Sequence, residues 1–242
     1  MNLLLLLPED FAGDLPAAQE ERKLRIGGRR ARHVLAVHRA EAGDRLRAGL
    51  LGGRLGEARV VAVSPEGLDL AVRLDAEPPA PLPVTLVVAL PRPLVLKRVL
   101  IHATSLGVKR IALIHSRRVE KSYWQSDALS GETLGEQQRL GLEQAGDTVL
   151  PELSMHRRFR PFVEDELKPL LTGAQGFVPH PGASTACPRA VSGKLVVAIG
   201  PEGGFIPYEI EKLVDAGLTP VHFGARVLRV EAAVPYAIAR LT

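Results

Sequence analysis

Aromatic side chains are scarce in this sequence, and sulfur chemistry is almost absent. Phe, Tyr and Trp make up 4% of the 242 residues, so the core has to be built from Leu, Val, Ile and Ala. Cys187 is the sole cysteine, which excludes an internal disulfide and any cysteine-cluster metal site. The histidines at 102, 115, 156, 180 and 222 lack a ligand spacing, so no metal is expected. Long apolar runs are missing too. The longest leucine run, residues 3–7, is followed at once by Pro8, Glu9 and Asp10, and no basic segment precedes it. It reads as a first strand, not a targeting segment, and no stretch is long enough to span a bilayer. A cytoplasmic protein without a membrane partner is expected. The familiar nucleotide loops are also lacking: there is no Gly-Lys-Ser/Thr phosphate loop and no Gly-x-Gly-x-x-Gly.

What is present is a sizeable apolar fraction and an uneven charge. Hydrophobic residues are 46% of the chain, enough for one large or two modest cores. The net charge of +4 is mild, but residues 22–59 hold eleven bases against three acids, and ten of those bases are arginine. Arginine suits forked contacts with phosphate, so polyanion binding is one reading and a solvated basic surface the other.

Residues 1–77 read as short alternating strands with Gly and Pro punctuation, at 44–51, 55–64 and 67–74, and one helix near 28–38. A small β-barrel domain is expected. Residues 78–83 belong to the proline-rich stretch DAEPPAPLP, which suits a stiff linker. From 84 to 242, apolar β-branched runs alternate with helical segments. The expected strands lie at 84–90, 110–114, 148–153, 175–180, 194–200 and 220–224. The expected helices lie near 93–106, 132–145, 159–171, 207–217 and 230–241. This alternation predicts an α/β domain with a largely parallel sheet.

Two glycine-bearing segments follow strands in that second domain. IGPEGGF (199–205) comes directly after the apolar run KLVVA, and HFGARVLRVEAA (222–233) after the last strand. In open α/β sheets ligands collect beyond the carboxyl ends of strands, and glycine lets the backbone approach a ligand closely. A tight strand-to-helix turn is the plainer reading of the first segment. Two such loops in one half-chain favour a shared pocket.

Taken together, IGPEGGFIPYEI and FGARVLRVEAA resemble the C-terminal signature of the RsmE family of 16S ribosomal RNA uridine-N3 methyltransferases, within the SPOUT superfamily. Residues 31–60 are similar to that family's His-x-x-x-Val-Leu…Gly-Asp motif, and 97–124 to its first helix, strand and charged loop. The resemblance implies a SPOUT-type parallel sheet closed by a deep trefoil knot, a PUA-like RNA-binding domain before it, and a homodimer. It implies S-adenosylmethionine as cofactor and small-subunit ribosomal RNA, or the assembled subunit, as partner. Cofactor contacts would come from Val178, Pro179 and His180, from Gly200, Pro201, Glu202, Gly203 and Gly204, and from Phe223, Gly224, Leu228 and Arg229.

Arg229 is the candidate for stabilising charge on the uracil, with Glu231 beside it. RNA phosphates would be met by Arg22, Lys23, Arg25, Arg29, Arg30 and Arg32, and by Arg117, Arg118 and Lys121, with Tyr123 and Trp124 placed to stack on a base. The chain departs from the family pattern at Ser105, Asp147 and Val230. Two other readings stay open at this point: a SPOUT methyltransferase acting on another RNA, and a noncatalytic RNA-binding ribosome-assembly factor.

Overall fold

The computed structural model describes residues 2–11, 13, 15 and 20–242. They form two compact units, Met1–Ala80 with Leu142–Leu150, and Pro81–Gly141 with Pro151–Thr242.

The first unit is a five-stranded sheet. Its strands are β1 (Leu4–Leu6), β2 (Glu21–Ile26), β3 (Arg45–Leu50), β4 (Leu55–Ser64) and β5 (Gly67–Ala76). Their order is β1-β3-β4-β5-β2, with β1 parallel to β3 and the other pairs antiparallel. Where a closed barrel was expected, β1 and β2 are the two edges of the sheet, with no pairing between them among the described residues. Helix α1 (Gly28–His33) runs on into a wider π-type turn, Val34–His38. The core takes one face of each strand: Leu24 and Ile26 of β2, Ala58 and Val60 of β4, and Leu68, Leu70, Val72 and Leu74 of β5 are buried together. Leu142 joins Leu3 and Leu5 in a smaller cluster of the same unit.

The second unit is a six-stranded, all-parallel sheet. It is built from β6 (Leu82–Ala89), β7 (Val108–Ile114), β8 (Glu152–His156), β9 (Ala174–Pro179), β10 (Lys194–Ile199) and β11 (Leu218–Val221), in the order β11-β9-β10-β6-β7-β8. Parallel strands are covered on both faces, so the central ones are continuously apolar. Leu86 to Ala89 and Val197 to Ala198 are fully buried. Helices α2 (Pro93–Ser105), α3 (Gly131–Ala145), α4 (Phe159–Pro161), α5 (Lys168–Leu170), α6 (Pro207–Asp215) and α7 (Val230–Leu241) complete the fold. A π-type segment, Phe162–Leu167, joins α4 to α5, so one irregular helix stands where a proline-interrupted one was expected.

The strand expected at 148–153 lies further on, at Glu152–His156, because Thr148 and Val149 instead donate their amides to the Asp147 carboxylate. The last strand likewise sits earlier than 220–224, at Leu218–Val221. No helix among the described residues is long and apolar enough to cross a membrane.

Candidate functional site

Strands β11, β9 and β10 are parallel neighbours, so their carboxyl ends open at one edge of the sheet. The loops that leave them converge on one cleft of about 440 Å³. That size falls within the usual range for small-molecule sites.

The first wall is the glycine loop after β10. Pro201 is buried, and its carbonyl accepts the Gly204 amide at 2.7 Å, which closes a tight turn. Gly204 has φ of 71°, in the left-handed region that glycine enters without strain. Gly200 is tightly packed, and glycine suits it for a different reason. A Cβ there would lie 3.1 Å from the Phe205 backbone nitrogen and 3.2 Å from the Phe205 ring. The loop then feeds α6, where Pro207 occupies the first turn and the Glu209 carboxylate accepts the Ile206 amide at 3.0 Å.

The second wall comes from β9. His180 lines the cleft, and its amide donates to the Val221 carbonyl at 2.8 Å, tying the exits of β9 and β11 together. The third wall is the segment Phe223–Leu228. There the Gly224 amide donates to His222 Nδ1 at 3.1 Å. Ile199, Phe205, Val230 and Ala233 supply an apolar floor. Charge around the cleft is sparse: Glu202, Arg118 and Arg226.

The structure therefore gathers Pro179, His180, Gly200 to Gly204, Phe223, Gly224 and Leu228 into one lining. Val178 is fully buried in β9 and does not line it. Nor do Arg229 and Glu231. Arg229 is the exposed N-cap of α7 and has no ion pair among the described residues. Glu231 pairs with Arg98 of α2, at 3.6 Å. Arg118, expected on RNA, also lines the cleft, and its guanidinium donates to the Gly203 carbonyl. The residues that sequence reasoning missed are the floor, Pro181 and Ala225 to Val227. The floor positions were legible only as core.

The aromatic pair after β7 departs from expectation. Trp124 is buried, and its Nε1 donates to His115 Nδ1 at 3.0 Å while Arg157 lies 5.4 Å from its ring centre. It is a packing residue, closed to a base. Tyr123 is half-buried against the same core. Burial holds the His115 imidazole below its ordinary pKa, in the same sense as this hydrogen bond, which needs Nδ1 unprotonated. Arg117 and Lys121 remain exposed.

The cationic run is likewise less free than its count. Arg30 makes two contacts to Asp10, at 2.5 and 2.7 Å, and donates to the Leu5 carbonyl. Arg29 pairs with both oxygens of the buried Glu143, Arg25 with Asp69, and Arg22 with Glu20. Lys23 and Arg32 are exposed and form no ion pair among the described residues.

Residues 78–242 match the family model described as an RNA methyltransferase domain. The chain is 30% identical over 212 residues to the ribosomal RNA small subunit methyltransferase E of Treponema pallidum, covering 83% of this chain and 77% of that one. The chain belongs to the ribosomal RNA small subunit methyltransferase E family.

The Mycobacterium tuberculosis member is 28% identical over 226 residues, covering 88% of this chain and 83% of that one. Among solved structures, the Neisseria gonorrhoeae member of this family, bound to S-adenosylmethionine, has a TM-score of 0.71 at 21% identity. It covers 99% of this chain and 95% of that one. A putative methyltransferase of Legionella pneumophila, solved with the same cofactor, also gives 0.71 at 21% identity, covering 99% and 96%. The fold is shared over 99% of the chain, so the structural likeness takes in both units and not only residues 78–242.

Proposed function

We propose that this chain transfers a methyl group from S-adenosylmethionine to N3 of a single uridine in small-subunit (16S) ribosomal RNA. The observation that carries the reading is the convergence of three adjacent strand-end loops on one cleft, with Gly200–Gly204 as a wall. The Treponema and Mycobacterium relatives are named for methylation of small-subunit ribosomal RNA.

The cleft's chemistry fits the cofactor. An apolar floor suits an adenine ring, and the exposed backbone of the glycine loop offers donors and acceptors to its edge. Gly200–Gly204, Pro179, His180 and the Phe223–Leu228 segment would hold it, with Glu202 as the acidic group of that lining. Bound there, it supplies an electrophilic methyl group on a sulfonium. The protein's own part is to orient the uracil and to steady the charge that develops on its oxygens as N3 loses its proton. Arg229 is suited to this role. It stands at the start of α7, directly after the segment that lines the cleft, and no carboxylate among the described residues holds it. The target uridine has to leave its stack to reach such a cleft.

The deep trefoil knot belongs to the same proposal. The loop between β9 and β10 grips the chain's end: Ala190 and Val191 donate to the Arg240 and Leu241 carbonyls at 3.1 and 2.6 Å, and Arg240 Nε donates to the Cys187 carbonyl. Such a loop suits a chain end passed through it. Leu94 on α2 and Tyr236 on α7 leave apolar surface exposed on two helices that pack together, which suits a homodimer. The first unit, with Lys23 and Arg32 exposed, would act as a PUA-like RNA-binding domain in a cytoplasmic enzyme.

Two assays test the reading together: calorimetric binding of S-adenosylmethionine, and transfer of labelled methyl to unmodified small ribosomal subunits. Micromolar binding with label in the RNA is expected. Cofactor binding with label only in transfer RNA would instead make the chain a methyltransferase of another substrate.

A further inference from the structure

One short loop grips the glycine wall of the cleft at two points. The first is Gly203, whose carbonyl accepts from the Arg118 guanidinium. The stem of Arg118 lies on that glycine so closely that a Cβ there would come within 3.0 Å of Arg118 Cδ. The second point is Ile206. Its amide donates to one oxygen of Glu209, while the other oxygen accepts the Arg117 amide at 2.6 Å.

Glu209 is 3% exposed, and no cation pairs with it among the described residues. Capping α6 needs only one of its oxygens. The second reaches across 92 residues of sequence to the loop after β7. A buried carboxylate is retained at a cost unless its oxygens are hydrogen-bonded, so both contacts bear on its being there. The loop it reaches has a fixed base, because Trp124 is bonded to His115 and its carbonyl accepts from Arg157. Consecutive residues of a held loop thus fasten the two ends of Gly203–Ile206, and Gly203, Gly204 and Phe205 within that segment line the cleft.

We propose that Glu209 and Arg118 are positioning residues that fix the glycine wall in its ligand-binding shape, so that affinity in the cleft depends on their joint grip. This rests on the cleft being the cofactor site. The two act on one segment, and their effects are therefore coupled: once either grip is lost, losing the other matters little.

Titration calorimetry on the full chain, with S-adenosylhomocysteine as probe, tests this on Arg118→Met, Glu209→Gln and the double variant. Methionine keeps a stem over Gly203 and removes the donor. Each single change is expected to weaken binding about tenfold, and the double change no more than about either alone. In steady-state assays KM for the methyl donor rises with little change in kcat. Two independent tenfold losses that multiply in the double variant would overturn the proposal. So would a Glu209→Gln protein that melts earlier yet binds the probe as tightly as wild type, since that marks a merely structural role. If Glu209→Gln does not fold, Gly203→Ala replaces it, because the added methyl crowds the Arg118 stem; unchanged affinity in both Gly203→Ala and Arg118→Met contradicts the proposal. A wild-type chain that binds no probe contradicts the cofactor reading itself, and this one with it.

Discussion

The carboxylate of Glu202 accepts the backbone amide of Arg92 at 3.0 Å. Arg92 is the N-cap of α2, a helix with no side-chain cap of its own. The single acid of the glycine loop therefore supplies from 110 residues away what a capping box supplies locally, and it ties the loop after β10 to the exit of β6. Glu202→Ala should lower stability by about 1 kcal/mol, since the contact is exposed. Glu202→Gln, which keeps an acceptor, should lose less. Equal unfolding midpoints for wild type and Glu202→Ala in a denaturant titration would show that the contact contributes nothing.

Arg229 and Glu231 separate in the same way. Glu231 turns to Arg98, so it does not orient Arg229. Arg229→Ala should cut kcat by about a hundredfold, the usual cost of one oxyanion donor. Its cofactor affinity should stay within about threefold of wild type, because Arg229 is outside the cleft lining. Parallel loss of affinity and turnover would place Arg229 on the cofactor instead.

The basic run divides into arginines paired with carboxylates and exposed cations, Lys23 and Arg32, that form no ion pair among the described residues; Arg32 Nε donates only to the Gly28 carbonyl one turn back, at 3.3 Å. Arg30 is 16% exposed and Asp10 8%, so Arg30→Ala strands a largely buried carboxylate. It should destabilise the chain by about 3 kcal/mol. Arg32→Ala should leave the melting temperature unchanged and reduce the salt slope of RNA binding by about 0.7–0.9. If Arg32→Ala leaves that slope untouched in filter-binding assays across a salt series, Arg32 contacts no phosphate.

Stability should fall in mild acid through His115. Burial lowers its folded-state pKa below the unfolded value of about 6.5. Above that pH both states are neutral and nothing is lost. As pH drops below it, the unfolded chain takes up a proton that the folded chain refuses, so the melting temperature declines until the folded-state pKa is reached. Burial shifts His33 in the same direction. His115→Asn, which keeps an acceptor for Trp124, should flatten part of the decline between pH 7 and 5. An identical pH profile in the variant would assign the decline elsewhere.

Much of the second unit was legible because buried parallel strands are unbroken apolar runs: VTLVVAL and KLVVAI needed no tertiary knowledge. The glycine loop was legible for the same local reason. Strand β2 was not, because its residues ERKLRI lie inside the cationic run and only Leu24 and Ile26 mark the inward face. Long-range pairing was hidden too. The partners of Arg25, Arg29 and Arg30 lie 44, 114 and 20 residues away, so a charge count took paired arginines as free ones. Arg118 meets Gly203 across 85 residues, which is why a residue read as a phosphate contact also lines the cleft. At the positions where the family pattern is broken, local roles appear: Ser105 Oγ donates to the Ile101 and Gly141 carbonyls, and Asp147 folds the turn at Thr148 and Val149.

Methyl transfer from labelled S-adenosylmethionine to unmodified small ribosomal subunits, with the product nucleoside mapped by mass spectrometry, bears on reaction and substrate at once. Label is expected on N3 of one uridine of the small-subunit RNA, and its rate of incorporation should fall about a hundredfold in Arg229→Ala. Label on another atom or another RNA, or none beside an active control enzyme, would contradict the proposed function.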